Sequence, residues 1–241
     1  MRICVVVPMY NEEVIARPNT EVILSYTNRL PPLVTVLVVN DGSQDATGPI
    51  IEELLEHYHN ERLRLISHST NLGYGAALQT AIKFASDNNY DYTIFMDSDL
   101  TNHPKYLESF YKKMEEGWDY IKATRYSKGG GVEGVPWSHR IMSLVGNYIA
   151  GFLYGLPLTD FTNGFRAVKT NVLKQINYTE NGFVIIMEEL YHAKFLTKSF
   201  CEIPYILTSR KGNQGQSHFS YGPGVCIQYL KYAIKSFIHK C

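Results

Sequence analysis

The chain has 241 residues, of which 45% are hydrophobic and 19% are charged, and its 23 basic and 23 acidic residues give a formal net charge of zero. This length suits one α/β domain with a small appendage, and the balanced composition excludes extensive disorder and bulk nucleic-acid binding. No signal peptide is visible, and no apolar stretch reaches the roughly 18–20 residues of a spanning helix. We therefore expect a cytoplasmic protein, or one peripheral to the cytosolic face of a membrane.

The first half of the chain alternates predicted strands with predicted helices. Runs of β-branched and apolar residues predict strands at Ile3–Val7, Val34–Val39, Leu63–Ser67, Thr93–Met96 and Tyr120–Ala123. Helical spacing of apolar residues predicts helices at Glu21–Arg29, Asp45–His57, Gly75–Asn88 and Pro104–Gly117. The alternation predicts an α/β fold with a mostly parallel central sheet flanked by helices, in which ligands bind beyond the carboxyl ends of the strands.

The second half of the chain lacks this regular alternation of predicted strands and helices. Residues 128–131 (Lys-Gly-Gly-Gly) predict a flexible basic loop, and a long helix is predicted from Ser138 to Tyr154. Near the end, Val225–Ile238 places apolar residues between lysines in the pattern of an amphipathic helix. Such a helix lies either in a membrane interface or against the protein core, and the sequence leaves both open. We divide the chain into a main domain, residues 1–220, and a C-terminal amphipathic helix, residues 221–241.

Two carboxylates follow the fourth predicted strand. Asp97 and Asp99 are two residues apart, so in extended backbone their side chains point to the same side. Neighbouring carboxylates repel each other unless a cation or a proton lies between them. Mg²⁺ or Mn²⁺ prefers such oxygen ligands and bridges them to substrate phosphates. A solvated acidic turn is the alternative, because a lone Asp-x-Asp pair is common.

Polar residues also follow the first two strands. Tyr10, Asn11 and Glu12 come after the first, and Asp41-Gly42-Ser43 after the second. An aspartate at such a strand end can accept hydrogen bonds from a nucleobase or a ribose, although a plain turn with helix capping fits equally well. The segment Asn71–Gly75 precedes a helix without forming the dinucleotide fingerprint, and a tight turn is its simplest interpretation.

Taken together and in order, these segments resemble the family 2 inverting glycosyltransferases of GT-A fold. The resemblance is carried by residues 8–12 (Pro-Met-Tyr-Asn-Glu), 40–47, 71–73 and 97–99. The second half resembles the dolichol-phosphate mannosyltransferases and their bacterial relatives. That part is carried by Thr124-Arg125-Tyr126, Ser138-His139-Arg140, Ser143, Asn147, Asp160–Arg166, Glu188, Cys201–Pro204 and Arg210 with residues 215–218.

The resemblance implies roles for individual residues on the donor side, and residues 1–220 would form the catalytic domain. Four residues would hold the nucleoside of a nucleotide-sugar: Pro8, Tyr10, Glu12 and Asp41. Asp97 and Asp99 would bind the divalent metal and the diphosphate, with Ser98 between them also at the donor. Arg210 would reach the donor diphosphate and steady the leaving group. The family pattern also points Glu188 towards the site.

On the acceptor side, the resemblance implies that the phosphate of a polyprenyl phosphate meets Arg125, Ser143 and either Arg140 or its neighbour His139. This chain departs from the family in three places. Thr101 stands where many relatives have a glutamine near the metal, His139 aligns with the usual acceptor-loop arginine, and His218 replaces a frequent lysine. The third metal ligand and the donor-loop contacts are therefore open.

The implied reaction is a single in-line displacement at the anomeric carbon, in which an anionic phosphate needs no strong general base. Favoured substrates are GDP-mannose and a polyprenyl or dolichyl phosphate. A membrane surface is a further expected partner, and the resemblance leaves a membrane partner subunit open. A second hypothesis is a family 2 enzyme that uses UDP-glucose or a UDP-N-acetylhexosamine and a saccharide or other lipid acceptor, with Asp160 as general base. A remote third is an inactive nucleotide-binding subunit.

Overall fold

The structure, a computed structural model, describes residues 1–31, 33–58, 62–210 and 223–239, with the backbone alone given for Ser138, His139 and residues 223–226. Its strands are β1 (Arg2–Met9), β2 (Leu33–Asn40), β3 (Leu63–Ser67), β4 (Tyr92–Phe95), β5 (Tyr120–Thr124), β6 (Gly131–Val132), β7 (Arg166–Lys169), β8 (Phe200–Pro204) and β9 (Ile206–Leu207). Its helices are α1 (Glu13–Thr27), α2 (Thr47–Tyr58), α3 (Tyr74–Asp87), α4 (Leu107–Glu115), α5 (Trp137–Tyr154), α6 (Thr170–Leu173), α7 (Ile185–Leu196) and α8 (Pro223–Ile238).

Seven strands form one sheet in the order β3-β2-β1-β4-β7-β5-β8. The pairs among β1, β2, β3 and β4 are parallel, as is β5 with β8, while β7 runs antiparallel between β4 and β5. The predicted α/β fold with a mostly parallel sheet is confirmed. The short strand β7 was not predicted, because its four residues, Arg-Ala-Val-Lys, carry too little apolar pattern to stand out.

The sheet is buried on both faces, as its continuous apolar strands require. In β1, Cys4 and Val6 pack on one face, whereas Ile3, Val5 and Val7 pack on the other. The first face is covered mainly by α3, α7 and part of α5, and the second by α1, α2 and α4. This two-sided core fixes the register of the strands, because a slip of one residue would exchange the two faces.

Register brings the polar strand ends together at one edge. Met9 pairs with Asn40, and Asn40 pairs with Ser67, so β1, β2 and β3 end level with one another. Phe95, the last residue of β4, pairs with Val6 of β1. Asp41 and the acidic segment that begins at Asp97 therefore start from the same carboxyl edge, as the sequence predicted.

Two predicted helices differ from the observed ones. Helix α1 begins at Glu13 rather than Glu21 and contains Pro18 in its second turn, where the missing N–H removes one hydrogen bond to the carbonyl oxygen of Val14. The segment predicted as one helix from Pro104 to Gly117 begins with a 3-10 turn at Pro104–Tyr106 before α4. The basic glycine loop ends in β6, which pairs with β9 and so ties the loop to the segment that leads to Arg210.

Helices α5 and α8 pack against each other at the edge of the molecule. The rings of Phe152 and Phe237 stack with centroids 5.9 Å apart, and Tyr232, Ala233 and Ser236 of α8 are buried. Each helix nevertheless turns an apolar face to the outside, with Tyr148 82% exposed. Within the described ranges, none of the helices combines the length and the apolar composition that crossing a bilayer requires. The predicted boundary at residues 220 and 221 lies outside the described residues, so the division into two parts stays a prediction.

Candidate active site

Two cavities meet at the carboxyl edge of the sheet. The strand-end cavity, of about 420 Å³, is lined by Pro8, Met9, Tyr10, Glu12, Asp41, Asn71, Gly73, Tyr74, Ala77, Asp97, Ser98, Asp99, Gly182, Phe183 and Arg210. The helix cavity, of about 570 Å³, lies beside α5 and α8 and is lined largely by apolar side chains such as Met142, Val145, Ile149 and Leu230. Five residues line both cavities, and we call them the junction: Tyr74, Asp97, Asp99, Phe183 and Arg210.

Asp97 lies at the junction and is held by Asn102. The amide Nδ2 of Asn102 donates to Asp97 Oδ2 at 2.6 Å. Burial, reinforced by the negative charge of Asp99, raises the pKa of Asp97 to about 7, while Arg210, Arg166 and the Asn102 hydrogen bond act in the opposite direction. Two carboxylates are thus brought together at a cost in electrostatic free energy, which a cation would relieve.

Asp99 is bound on both of its oxygens. The backbone N–H and the hydroxyl of Thr101 donate to Oδ1, at 3.0 and 2.7 Å. Arg210 Nε donates to Oδ2 at 2.7 Å, and Arg210 Nη2 donates to Glu12 Oε1 at 3.0 Å. The guanidinium therefore bridges two carboxylates at the junction, and the charge of Asp99 and Glu12 outweighs burial and raises the pKa of Arg210.

The residues at the junction suit a divalent metal. Asp97 and Asp99 offer hard oxygen ligands, and the carbonyl oxygen Oδ1 of Asn102 is buried with no hydrogen-bond partner in the described part of the chain. An unsatisfied buried oxygen beside two carboxylates is the kind of atom that a hard cation or its water would satisfy. No group of three His, Cys, Asp or Glu side chains gathers anywhere in the described residues, so further ligands would come from amide, substrate or water oxygens.

Asp41 is organised by its neighbours in the strand-end cavity. Its Oδ1 receives the backbone N–H of Leu72 at 3.0 Å and lies 2.7 Å from His68 Nδ1, and its Oδ2 receives the N–H of Gly73 at 2.9 Å. His68 Nε2 lies 2.9 Å from the hydroxyl of Thr80, which fixes the ring. The predicted turn at Asn71–Gly75 thus holds an aspartate in place, and His68 supports the same carboxylate.

The other predicted donor residues are also assembled here. Pro8, Tyr10, Glu12 and Ser98 all line the strand-end cavity together with Asp41. Glu12 is anchored at the start of α1, where its N–H donates to Thr47 Oγ1 at 2.8 Å. The structure therefore brings together every residue that the sequence placed at the donor.

The predicted acceptor residues do not all lie at one cavity. Arg125 lines the helix cavity, but its Nε and Nη2 donate to the two oxygens of Asp160 at 2.7 and 2.8 Å. Asp160 has a fully buried side chain, and its charge outweighs the desolvation of Arg125, so that the pKa of Arg125 lies above its ordinary value. Arg125 Nη1 makes no hydrogen bond to any residue within the described ranges.

Ser143 lines the helix cavity from α5, and its Oγ accepts the hydroxyl of Tyr126 at 2.8 Å. Arg140 has an exposed side chain and is not part of the cavity lining. The side chain of His139 and the predicted segment 215–218 lie outside the described residues. The structure thus places Arg125 and Ser143 at one cavity and Arg140 away from it.

Glu188 does not face either cavity, which corrects the family-based prediction. Its carboxylate accepts the backbone N–H groups of Thr179 and Glu180 and the hydroxyls of Thr179 and Tyr232. It is 1% exposed, so it is not a surface acid either. Glu188 instead ties the loop before α7 to helix α8.

Sequence reasoning missed two aromatic members of the junction. Tyr74 lies within the segment that was interpreted only as a turn. An aromatic residue between two glycines, next to a predicted site, could have indicated a role in ligand binding. Phe183 follows a stretch without hydrophobic periodicity, and nothing in the sequence indicated that it belongs to the site. Their rings stack with centroids 4.6 Å apart.

Comparison with known sequences identifies the family of the chain and several relatives. The profile described as Glycosyl transferase family 2 matches residues 4–176. The polyprenol monophosphomannose synthase of Mycolicibacterium smegmatis is 29% identical over 213 residues, which cover 87% of this chain and 78% of that relative. The undecaprenyl-phosphate mannosyltransferase of Micrococcus luteus is 26% identical over 225 residues, 92% of this chain and 89% of that relative.

Solved structures confirm the predicted GT-A fold. The glucosyl-3-phosphoglycerate synthase of Mycobacterium tuberculosis, in complex with Mn²⁺, uridine diphosphate and glucosyl-3-phosphoglycerate, matches with a TM-score of 0.68 at 19% identity, over 100% of this chain and 81% of that chain. The same enzyme with Mg²⁺ and uridine diphosphate gives 0.67 at 20% identity, over 100% and 80%. At this level of identity the likeness concerns the fold.

Proposed function

This chain belongs to glycosyl transferase family 2, and from that membership we propose that it transfers a mannosyl residue from GDP-mannose to a polyprenyl phosphate, with inversion at the anomeric carbon. The observation that carries the proposal is the meeting of a polar strand-end cavity and an apolar helix cavity at one set of charged residues. The two relatives named for mannosyl transfer to polyprenol or undecaprenyl phosphate support it.

The strand-end cavity suits the nucleotide of the donor. Asp41 offers a fixed carboxylate to the N–H groups of a base, and Pro8, Tyr10 and Glu12 form the surrounding wall. Asp97 and Asp99 would hold Mg²⁺ or Mn²⁺ against the diphosphate, with Ser98 alongside. When bound, the metal supplies charge stabilisation to the departing diphosphate. Arg210 contributes the second positive charge next to the same carboxylates.

The helix cavity suits a phosphate carried on a long apolar chain. Ser143 and the remaining Nη1 of Arg125 present donors near its polar end, while Val145, Ile149 and Leu230 line its apolar part. A phosphate monoester is already anionic near neutral pH, so the attack needs orientation rather than a general base. Asp160 is fully buried and paired with Arg125, which argues against its use as a general base.

The apolar faces of α5 and α8 suit contact with the membrane that carries the acceptor. The exposed side chains include Trp137, Tyr148, Phe152, Ile227 and Ile238, each more than two-thirds exposed. They lie on the two helices that line the helix cavity, and they form the kind of face that lies in a bilayer interface. On this proposal both alternatives that the sequence left open for α8 hold at once, since one side of the helix packs on the protein and the other meets lipid.

One assay tests the reaction. GDP-mannose, UDP-glucose and a UDP-N-acetylhexosamine are each offered to a short polyprenyl phosphate and to a saccharide, with Mn²⁺ or Mg²⁺ and with a chelator. We expect label from GDP-mannose to appear in the polyprenyl phosphate and to be lost with the chelator. Transfer to the saccharide alone would support the UDP-sugar or saccharide hypothesis, and no turnover of any donor would support an inactive subunit.

A second assay tests the membrane contact. The variant Tyr148→Ser/Phe152→Ser removes two exposed rings from α5, and Val14→Ser removes an exposed apolar side chain from α1 as a control. Because each buried ring contributes on the order of 2 kcal/mol, we expect binding to phospholipid vesicles to fall at least tenfold in the first variant only. Equal binding of both variants would contradict the contact.

A further inference from the structure

The junction contains an aromatic pair in addition to its charged residues. Tyr74 begins α3, Phe183 lies just before α7, and their rings stack at an interplanar angle of 22°. Both side chains line the strand-end cavity and the helix cavity. The pair is therefore part of the wall along which a group passing from one cavity to the other must lie.

The backbone around the pair is fixed by close packing. Gly73 has a φ of 101°, a conformation suited to glycine, and a Cβ added there would collide with the carbonyl oxygen of Asn181. The N–H of Gly75 donates to that same oxygen at 2.7 Å. The loop that carries Phe183 and the turn that carries Tyr74 are therefore held against each other.

The hydroxyl of Tyr74 has a defined position close to Gly164 and is available to a ligand. A Cβ built on Gly164 would lie 3.2 Å from this hydroxyl, so any larger residue at position 164 would crowd its oxygen. Across the residues that the structure describes, the hydroxyl makes no hydrogen bond. Burial, with a contribution from the charge of Asp97, raises the pKa of Tyr74 above its ordinary value, so the phenol stays protonated and able to donate.

Three of the five junction residues are charged and suit the metal and the diphosphate, which leaves the aromatic pair for the uncharged part of the donor. We propose that Tyr74 is a specificity-determining residue, whose hydroxyl donates to a hydroxyl of the transferred sugar while the stacked ring of Phe183 holds Tyr74 in place. This inference rests on the proposed function, because only a sugar donor brings such a group to the junction. Sites that hydrogen-bond a substrate hydroxyl discriminate strongly against a substrate that lacks it or points it elsewhere.

The experiment compares donor binding in the wild type, Tyr74→Phe, Phe183→Leu and the control Tyr90→Phe. The control removes a hydroxyl that donates to Thr35 at 2.9 Å, away from both cavities. With Mn²⁺ present, the affinity for GDP-mannose and for GDP is measured by titration calorimetry. We expect Tyr74→Phe to bind GDP-mannose about 5- to 20-fold more weakly, with the affinity for GDP changed less than twofold.

Two further measurements complete the test. Discrimination between GDP-mannose and its epimer GDP-glucose should fall by a similar factor in Tyr74→Phe and partly in Phe183→Leu, and remain unchanged in Tyr90→Phe. Equal losses for GDP-mannose and GDP, or no loss for either, would overturn the inference. Donor binding needs no acceptor, so a wild type that binds GDP-mannose yet fails to glycosylate polyprenyl phosphate would refute the proposed acceptor and leave this result standing.

Discussion

The two cavities are built in different ways. The strand-end cavity rests on backbone register, because β1, β2 and β4 deliver Tyr10, Asp41 and Asp97 to one edge of a sheet that is buried on both faces. The helix cavity rests on the packing of α5 and α8, two helices whose outer faces stay apolar and exposed. A polar ligand in the strand-end cavity would thus contact the fixed carboxyl edge of the sheet. An apolar ligand in the helix cavity would contact two helices whose outer faces are covered only when a membrane is present.

The same contrast holds for the two arginines. Arg125 forms a bidentate pair with a fully buried Asp160, whereas Arg210 bridges Asp99 and Glu12 with 19% of its side chain exposed. A buried pair is costly to break, because each charge left alone stays desolvated. The bridge of Arg210 is more readily exchanged for a metal or a diphosphate. We infer a structural role for most of the Arg125 guanidinium and a ligand-facing role for Arg210.

The largest effect is expected at the strand-end cavity. Asp97→Asn keeps the shape of the side chain and its contact with Asn102 but removes one charge from the proposed metal site. Turnover should fall on the order of 10³-fold and the affinity for Mn²⁺ should fall with it. The unfolding midpoint should not fall, because a buried charge next to Asp99 has been removed.

The matched control for that variant is Asp87→Asn, an exposed aspartate paired with Lys83 on α3. It should retain full turnover and Mn²⁺ affinity. If Asp97→Asn kept its turnover within tenfold of the wild type, a metal-dependent donor site at this edge would be ruled out.

The next effect is a loss of stability on the acceptor side. Asp160→Asn leaves Arg125 buried without its partner and should lower the free energy of unfolding by about 3 kcal/mol. Arg125→Met/Asp160→Asn should lose clearly less than the sum of the two single variants, since neither charge remains. Urea denaturation of the four proteins measures this coupling. Additive losses would show that the pair observed here is not the source of the stability.

The contrast between the cavities also explains what the sequence could predict. Parallel strands must end at a common edge, so Asp41, Asp97 and Glu12 could be grouped from strand order alone. Helices α5 and α8 could be found singly, but nothing in residues 155–222 says that they meet. Arg125 and Asp160 were each noticed, whereas their pairing across 35 residues depends on the turn that precedes β7.

Loop packing was the other source of error. Glu188 was assigned to the site from its place in a family pattern, but its carboxylate satisfies the N–H groups of Thr179 and Glu180. These N–H groups need a hydrogen-bond acceptor only because of the conformation that the loop adopts in the folded protein. Phe183 comes to the junction through the same loop, which is why its contribution could not be predicted.

A smaller effect concerns pH and Lys122, whose Nζ donates to the carbonyl oxygen of Asn163 at 2.6 Å beneath the helix cavity. Burial, and then the charge of Arg166, lowers the pKa of Lys122 to about 7. Between about pH 7 and 10 the unfolded chain therefore binds a proton that the folded chain does not, so the free energy of unfolding rises with pH.

The variant Lys122→Met lacks this proton and should lack its share of the pH dependence. The stability of the wild type relative to Lys122→Met should increase by roughly 1 kcal/mol for each pH unit from 7.5 to 9.5, as followed by urea denaturation. A difference that stays constant with pH would mean that Lys122 is charged in the folded protein.

The smallest effect tests whether α8 belongs to the packed body, as its contacts with the loop before α7 imply. The hydroxyl of Tyr232 lies 2.9 Å from Glu180 Oε1 and 3.0 Å from Glu188 Oε1, so its single proton is shared between these two hydrogen bonds, beside the ion pair of Lys231 with Glu180. Tyr232→Phe removes these bonds and leaves a carboxylate partly unsatisfied, which should cost about 1 kcal/mol of unfolding free energy. Tyr111→Phe, whose hydroxyl donates to the exposed Glu115, should cost nothing measurable.

If α8 packs as observed, Tyr232→Phe should also make α8 more susceptible to trypsin at Lys231 and Lys235, in the absence of vesicles. Vesicles should restore protection, because the exposed face of the helix would then be covered by lipid. A helix that trypsin cleaves equally fast in the wild type and in the variant would instead be undocked in solution. In that case the helix cavity would form only at a membrane. The donor site would then be fixed by the sheet alone, whereas the acceptor site would depend on lipid for its formation.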